Sequence, residues 1–216
     1  MIEVMVVDDD NLVRSGIIRL LEDFPDISVV AAASSGEEAA KIIKEKHPQV
    51  VLMDLRMPGI GGLEATRKIL RHDPNTKVIA ITVCSSEPFP TKLLQAGASG
   101  YLTKGAKPDE MAIAIRTVHA GKRYLSAEIA QQLALKNLSE GDKETPFQLL
   151  SERELQVTMM ITVGSNVQEI ADKLCVSPKT INTYRYRIYE KLSVKSDVGL
   201  TLLAFRHGLI DKEPAF

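Results

Sequence analysis

The sequence predicts a chain of two domains, an α/β domain with a five-stranded parallel sheet followed by an all-helical domain. Three observations support this division. Short apolar runs alternate with amphipathic stretches over residues 1–121, which is the pattern of successive βαβ units. Beyond residue 126 no strand-like run occurs. Residues 139–146 are rich in charge and include a glycine and a proline, which is typical of an exposed linker.

The elements of the first domain follow from its apolar runs and from the turn residues between them. Five strands are predicted, at residues 2–7, 27–32, 50–53, 78–82 and 101–103. Five helices are predicted, at residues 11–22, 37–46, 63–71, 91–96 and 108–120. Glycine and proline lie where these helices must begin or end, as at Pro58-Gly59 and Pro74-Asn75. Five such units predict a flavodoxin-like sheet.

The second half of the chain predicts helices alone. One helix, at 126–137, precedes the linker, and four follow it at 152–162, 167–174, 178–192 and 197–207. Ser151 and Glu154 fit a capping box, in which each side chain satisfies the other residue's free backbone N–H. We therefore expect a first domain over residues 1–122, a helix and linker over 123–146, and a four-helix domain over 147–216.

Composition is that of an ordinary globular protein, with 44% apolar and 25% charged residues. No apolar run approaches the roughly 18 residues of a membrane span, and Met1 leads into the first strand without a signal peptide. We expect a cytoplasmic protein with no membrane partner. Cys84 and Cys175 have no CxxC or histidine-spaced pattern, so no disulfide or zinc site is predicted, and we interpret both as small, buried or semi-buried apolar residues.

Polar residues stand at the ends of four predicted strands. Asp8 and Asp9 follow the first strand, Asp54 follows the third, Thr82 ends the fourth and Lys104 follows the fifth. Each has an ordinary explanation alone, such as a solvated turn, β propensity or a surface lysine. Because the carboxyl ends of parallel strands converge on one crevice, the joint pattern favours a site for a divalent cation and a phosphoryl group.

Within this predicted site Asp54 is the expected nucleophile, because it closes an apolar strand and precedes the glycine- and proline-rich loop 55–62. Attack by a carboxylate on a phosphoryl group requires neutralisation of negative charge, which Mg²⁺ supplies. Asp8 and Asp9 are the expected carboxylate ligands beside Asp54, and the backbone carbonyl of Arg56 is a further candidate ligand.

The remaining residues at the strand ends receive separate roles. Lys104 and the hydroxyl of Thr82 are expected to contact the transferred phosphoryl oxygens. Tyr101 is expected to change its packing when Thr82 moves toward the phosphoryl group, which would make it a two-state switch. Asp10 is expected to cap the helix that begins at Asn11, with no catalytic role.

These motifs resemble a known family. Asp8-Asp9, Asp54 within VVLMDLRMPGIGG, Thr82 and the segment 100–104 are similar to the receiver domain of bacterial two-component response regulators, over residues 1 to about 122. The resemblance implies phosphotransfer to Asp54 from a sensor histidine kinase, dependence on Mg²⁺ and slow self-catalysed hydrolysis. It also implies the strand order 2-1-3-4-5.

The predicted helices at 167–174 and 178–192, with the tight turn 175–177, have helix-turn-helix spacing. The net charge of the chain is −1, but residues 176–195 contain five lysine and arginine residues against one glutamate. We expect the second helix to enter a major groove of double-stranded promoter DNA. The candidate DNA contacts are Asn182, Thr183 and Tyr186 for base edges, Lys179, Arg185, Arg187 and Lys191 for phosphates, and Thr180 at the helix start.

Further motifs narrow the resemblance. Segments 150–154, 169–171, 177–180 and 191–192 resemble the LuxR-type helix-turn-helix of NarL/FixJ response regulators, and segments 59–68, 184–187 and 206–209 resemble the GacA/UvrY subgroup. This resemblance implies a sensor kinase of the BarA/GacS type and small regulatory RNA genes as targets. It also implies a homodimer of the phosphorylated protein, with the last helix as a common dimer contact, and RNA polymerase as a further partner.

The predicted function is a transcription factor in which phosphorylation of Asp54 frees the recognition helix or promotes dimerisation. Two alternatives remain beside it. A metal-dependent phosphatase also forms an aspartyl phosphate, but it needs a second acid, commonly two residues later, where this chain has Arg56. A constitutive DNA-binding protein with a degenerate receiver is disfavoured because the acidic set is intact.

Overall fold

The computed structural model describes residues 1–82, 89–138, 146–207 and 209–210. These residues form two compact units, and the division between the units falls after the helix that ends at Leu138. Among the described residues, no helix has both the length and the apolar character that a membrane crossing requires.

The first unit is built on a parallel sheet of six strands in the order β2-β1-β3-β4-β5-β6. The strands are β1 (Ile2–Val7), β2 (Ile27–Ala33), β3 (Val50–Asp54), β4 (Lys77–Thr82), β5 (Gly100–Thr103) and β6 (Tyr124–Leu125). Its helices are α1 (Asn11–Leu21), α2 (Gly36–Lys46), α3 (Gly61–His72), α4 (Phe89–Gln95), α5 (Pro108–His119) and α6 (Ala127–Leu138). The implied order of the first five strands is confirmed, and the predicted boundaries agree within two residues.

The prediction of five strands is wrong by one. The sixth strand, Tyr124–Leu125, pairs in parallel with β5, so that Gly100 faces Tyr124 and Tyr101 faces Leu125. Two residues are too short to show the alternation of a strand in the sequence, and their pairing depends on tertiary contacts.

Alternate residues of the strands bury opposite faces of the sheet, as the period of two requires. Val4 and Val6 pack with α1 and α5 on one face. Met5 and Val7 pack with α2 and α3 on the other face. The sheet is therefore covered on both sides, which leaves its carboxyl edge as the place where polar strand ends can gather.

A third apolar cluster surrounds the fully buried ring of Tyr101. It joins Leu55, which follows Asp54, to Leu93 of α4 and to Ile129 of α6. The described part of α6 therefore belongs to the packing of the first unit.

The described residues of the second unit form helices and no strand. These helices are a 3-10 helix (Pro146–Leu149), α7 (Glu152–Thr162), α8 (Val167–Lys173), α9 (Pro178–Leu192) and α10 (Asp197–Arg206). The capping box of Ser151 and Glu154 is confirmed, and Ser177 caps α9 with Pro178 in its first turn. A second capping box, Asn166 with Glu169, was not predicted.

The turn between α8 and α9 places Cys175 in the left-handed region, with a φ of 52°. The interpretation of Cys175 as a buried residue is wrong, because the side chain is exposed in this turn. Cys84 lies outside the described residues.

Candidate functional site

Three carboxylates meet at the carboxyl edge of the sheet. One oxygen each from Asp8, Asp9 and Asp54 lie within 4.8 Å of one another. Asp8 and Asp54 are buried, whereas Asp9 is exposed. Burial of two carboxylates this close is unfavourable unless cations compensate their charge.

Lys104 supplies one such cation. Its Nζ donates to Asp8 Oδ2 at 2.8 Å and to Asp54 Oδ2 at 2.9 Å. Burial alone would lower the pKa of Lys104, but the hydrogen bonds to Asp8 and Asp54 outweigh it, so its pKa is raised. Lys104 is therefore held in its charged form between the two buried carboxylates.

One positive charge does not balance three carboxylates. Although Asp9 is exposed as a residue, the surrounding protein withdraws part of its carboxyl from water, and this desolvation, followed by the negative charge of Asp54, raises the pKa of Asp9. Excess negative charge of this kind, built from carboxylate oxygens, is what a hard divalent cation binds.

The backbone around the acidic cluster is fixed by hydrogen bonds. The Arg56 N–H donates to Asp54 Oδ1 at 3.2 Å, so each oxygen of this carboxylate accepts one hydrogen bond. Arg14 donates through Nη1 to the backbone oxygen of Asp8 at 2.6 Å. Arg14 was not predicted as a site residue, since its position on α1 belongs to no motif that would indicate this role.

The β3–α3 loop also packs closely against Asp54. A Cβ at Gly62 would lie 1.9 Å from the backbone oxygen of Asp54, which no side chain can tolerate. The Gly62 N–H donates to the carbonyl of Leu55 at 3.2 Å. Glycine at position 62 therefore lets the start of α3 close directly onto the end of β3.

Thr82 and Tyr101 lie on the neighbouring strands β4 and β5, and both are completely buried. Thr82 faces Thr103, and its carbonyl accepts the N–H of Lys104 at 2.9 Å. Because Lys104 directly follows Thr103, Thr82 lies beside the end of the strand that leads to the cation of the site.

Asp10 has the structural role that was expected. Its carboxylate accepts from the N–H groups of Leu12 at 2.8 Å and Val13 at 3.2 Å, which caps α1.

The second unit presents a polar face on α9. Ile181, Ile188 and Leu192 are buried on one side of this helix. The exposed side chains on the other side are Lys179, Asn182, Thr183, Tyr186, Arg187 and Glu190, while Thr180 is half-buried. Tyr186 is 71% exposed, which is unusual for a large aromatic side chain and leaves its ring available for contact.

Arg185 is engaged within the domain. Its Nη2 donates to Asp197 Oδ2 at 2.6 Å and to the Tyr189 hydroxyl at 3.1 Å, and Tyr189 also bonds to Asp197. The guanidinium is therefore tied to the first residue of α10.

Lys191 is engaged as well. Its Nζ donates to Glu154 Oε2 at 2.6 Å, and Glu154 is buried at the start of α7. All four basic residues, Lys179, Arg185, Arg187 and Lys191, were predicted to contact phosphates. Among the described residues, Arg185 and Lys191 have ion pairs within the domain, whereas Lys179 and Arg187 have none.

A parallel α/β domain with a buried acidic cluster, followed by a helix-turn-helix domain, defines a class of regulator. Residues 4–116 match the family described as response regulator receiver domain. Residues 148–204 match the family described as bacterial regulatory proteins, luxR family. The chain therefore belongs to the two-component response regulators with a LuxR-type DNA-binding domain.

Full-length relatives refine this assignment. The response regulator GacA of Pseudomonas viridiflava is 62% identical over 211 residues, covering 98% of this chain and 99% of that protein. The response regulator UvrY of Escherichia coli K12 is 54% identical over 213 residues, covering 99% of this chain and 98% of that protein. The chain is a two-component transcription regulator of the GacA/UvrY type.

Solved structures show the same architecture. The response regulator ChrA of a heme-sensing two-component system is 32% identical with a TM-score of 0.54, covering 97% of this chain and 98% of that one. A complex of the response regulator RcsB with DNA is 26% identical with a TM-score of 0.60, covering 94% and 96% of the two chains.

Proposed function

We propose that a sensor histidine kinase phosphorylates Asp54 and that this modification controls the binding of α9 to promoter DNA. The observation that carries the proposal is the position of Asp54. It is a buried carboxylate with two further carboxylates and the Lys104 ammonium around it. Asp8, Asp9 and Asp54 are the three acidic side chains that, among the described residues, lie close enough together to share a cation.

In the proposed transfer, an oxygen of Asp54 attacks the phosphorus of a phosphohistidine. The new P–O bond forms as the P–N bond breaks, and the electron pair of that bond stays on the imidazole nitrogen. In the proposal, Lys104, which donates to Asp54 Oδ2, also donates to an oxygen of the transferred phosphoryl group. Thr82 is the proposed hydroxyl donor to the same group.

The donor set fits Mg²⁺, because it consists of carboxylate oxygens with an uncompensated negative charge. Asp8, Asp9, Asp54 and the backbone carbonyl of Arg56 would hold the ion. Bound Mg²⁺ would supply the charge neutralisation that lets an anionic nucleophile approach an anionic phosphoryl group. Slow hydrolysis of the acyl phosphate by water is the proposed route by which the signal decays.

The proposed switch runs through Tyr101. Its ring is buried with Leu55, Leu93 and Ile129, so it connects the loop after Asp54 with α4 and α6. A shift of Thr82 toward a phosphoryl group would change the space beside Tyr101 and hence the docking of α6. The proposed route reaches α6 through contacts within the first unit.

For the DNA complex, the proposed base contacts are Asn182, Thr183 and Tyr186, with Thr180 at the helix start, and the proposed phosphate contacts are Lys179, Arg187, Arg185 and Lys191. The exposed ends of Lys179 and Arg187 support their assignment most directly. To contact a phosphate, Arg185 would have to release Asp197, and Lys191 would have to release Glu154.

Dimerisation through α10 is proposed for the phosphorylated form. Val198, Leu202 and Phe205 lie three or four residues apart on α10 and are exposed, forming an apolar stripe. In a solved structure of RcsB, two RcsB dimers are bound to two parallel DNAs. That RcsB chain is 25% identical to this one, with a TM-score of 0.59. A dimer would place two α9 helices on two half-sites.

The resemblance to GacA and UvrY supports a kinase of the BarA/GacS type as partner, small regulatory RNA genes as targets, and RNA polymerase as a further partner. The phosphatase alternative gains no support from the site. Position 56 is an arginine, not the second acid that such a phosphatase needs, and its backbone N–H donates to Asp54.

The test is labelling of the purified full chain by a small phosphodonor, with and without Mg²⁺, followed by promoter binding in the same samples. We expect acid-labile label in the wild type that disappears in Asp54→Asn and in EDTA, and tighter promoter binding by the labelled protein. Asp23→Asn, which removes an exposed carboxylate, is the matched control and should label normally. Label that persists in Asp54→Asn, or promoter binding that ignores the label, would contradict the proposal.

A further inference from the structure

Glu37 lies in the first turn of α2, outside the acidic cluster, but its side chain reaches the loop after Asp54. Its Oε1 accepts the backbone N–H of Ile60 at 2.8 Å, across 23 residues of sequence. Its neighbour Glu38 makes a different contact, since it accepts from the N–H and the hydroxyl of Ser34. Two adjacent glutamates therefore serve two different loops.

The carboxylate of Glu37 also lies close to the loop at Gly59. A Cβ at Gly59 would lie 2.3 Å and 2.5 Å from its two oxygens, and Gly59 has a φ of +72°. Glycine at position 59 therefore provides both the left-handed turn and the room for this carboxylate. The start of α2 packs here too, since a Cβ at Gly36 would lie 2.8 Å from Cγ1 of Ile60.

Two hydrogen bonds between described residues help to fix the loop that Glu37 holds. Its base is closed by the hydrogen bond from Gly62 to Leu55. Its far side is held by the hydrogen bond from Ile60 to Glu37. Arg56 lies between these two points, and its N–H already bonds to Asp54.

We propose that Glu37 is a positioning residue for the divalent cation, which acts by fixing the β3–α3 loop and with it the backbone carbonyl of Arg56. A glycine-rich loop has many backbone conformations, so a carbonyl on it is an effective ligand only when outside contacts restrict them. Partners that orient ligands in this way commonly change metal affinity by about 10-fold or more. The inference rests on the proposed Mg²⁺ site and adds a residue that lies on another helix.

The test measures Mg²⁺ binding to the full, unphosphorylated chain, by titration with MgCl₂ followed through backbone amide NMR shifts. We expect Glu37→Ala to raise the dissociation constant for Mg²⁺ by about 10-fold, because the loop loses its tether. Glu37→Gln keeps an oxygen acceptor for the Ile60 N–H and should stay within about twofold of the wild type. In the same samples, hydrogen exchange at Ile60 should accelerate in Glu37→Ala and stay slow in Glu37→Gln.

Glu38→Ala is the matched control. It removes the same charge from the same helical turn but leaves the contact between Glu37 and Ile60 in place. An equal loss of Mg²⁺ affinity in Glu38→Ala, or in Glu37→Gln, would mean that charge alone acts, and would overturn the inference. Wild-type affinity in Glu37→Ala would also overturn it. Labelling of Asp54 in the wild type is scored separately, so a failed Mg²⁺ site and a failed role of Glu37 give different results.

Discussion

The backbone N–H of Ser126 donates to the carbonyl oxygen of Tyr101 at 3.1 Å. This hydrogen bond continues the pairing of β6 with β5 up to the first turn of α6. Tyr101 therefore contacts the start of α6 in two ways: its carbonyl accepts from Ser126, the residue before the helix, and its ring packs with Ile129 of the helix. A change in the packing of Tyr101 acts on α6 without any intermediate element.

Ile129→Ala tests this attachment. The side chain is fully buried beside Tyr101, so its truncation should lower the free energy of unfolding of a fragment spanning residues 1–138 by about 2–5 kcal/mol. Ile113→Ala, on the 51% exposed Ile113 of α5, should cost less than about 1 kcal/mol. Urea denaturation of both variants gives the comparison. Similar losses in the two variants would show that α6 does not dock on the Tyr101 cluster in solution.

A pair of glycine substitutions separates close packing from helix propensity. Gly62→Ala should destabilise the receiver by at least about 2 kcal/mol, because the new methyl group meets the backbone oxygen of Asp54. It should also slow phosphorylation, since the end of β3 must move. Gly16→Ala places a methyl group in open space on α1 and should stabilise by about 0.5–1 kcal/mol. Thermal unfolding measures both changes in stability. An unchanged stability of Gly62→Ala would contradict the close packing of Gly62 against the backbone oxygen of Asp54.

Stability of the DNA-binding unit should depend on the charge of Glu154. Burial would raise the pKa of this carboxyl, but the hydrogen bonds from Lys191 and Ser151 outweigh burial and lower it below the ordinary value of 4.5. A carboxyl with a lowered folded pKa stabilises the fold fully above its unfolded pKa, and that contribution is lost as the pH falls through the folded value.

Glu154→Gln should therefore be less stable than the wild type at pH 7, by about 1–3 kcal/mol, because Lys191 loses a charged partner. The difference should begin to shrink as the pH falls below about 4.3, the ordinary pKa of Glu in the unfolded chain, and should be lost once the pH passes the lowered folded pKa. Urea denaturation at pH 7, 4 and 3 provides the measurement. A gap that stays constant across this range would mean that packing, and not charge, is responsible.

Salt dependence of promoter binding should divide the basic residues of α9 into two groups. Lys179→Ala and Arg187→Ala should each reduce the slope of log affinity against log salt by about 1, as expected for one lost phosphate contact. Lys191→Ala should reduce the slope by clearly less than this, because a contact of its ammonium with phosphate must displace the ion pair with Glu154, and it should also lower the stability of the domain. Titrations at several salt concentrations distinguish the groups, and equal slopes in all three variants would contradict this division.

The fold could be predicted from the sequence wherever the signal is local. Apolar runs, glycines and helix caps act within a few residues, as Asp10 and Ser151 do. The predicted element boundaries therefore agree with those of the structure within two residues. The strand β6 and the docking of Ile129 could not be predicted. Both depend on a partner far along the chain, at Tyr101, and a two-residue strand has no periodicity of its own.

The candidate site divides in the same way. Asp8, Asp9, Asp54 and Lys104 stand at strand ends, and the rule that these ends converge was enough to bring them together. The contact of Glu37 with Ile60 could not be predicted from the sequence. A glutamate in the first turn of a helix is already explained by its favourable interaction with the helix dipole. The internal pairs of Arg185 and Lys191 were hidden for a similar reason, since basic residues on a polar face look alike until their partners are known.

The edges of the sheet have a consequence for how the protein behaves at high concentration. An open edge strand exposes unpaired N–H and C=O groups that a second chain can join. On β2, Val30 is an extra residue between the partners of Val4 and Met5, which bends that edge. The other edge is β6, which ends after two residues where α6 begins. Neither edge is long and flat, so we expect association between chains to occur through helices, and strand-to-strand aggregation to be suppressed.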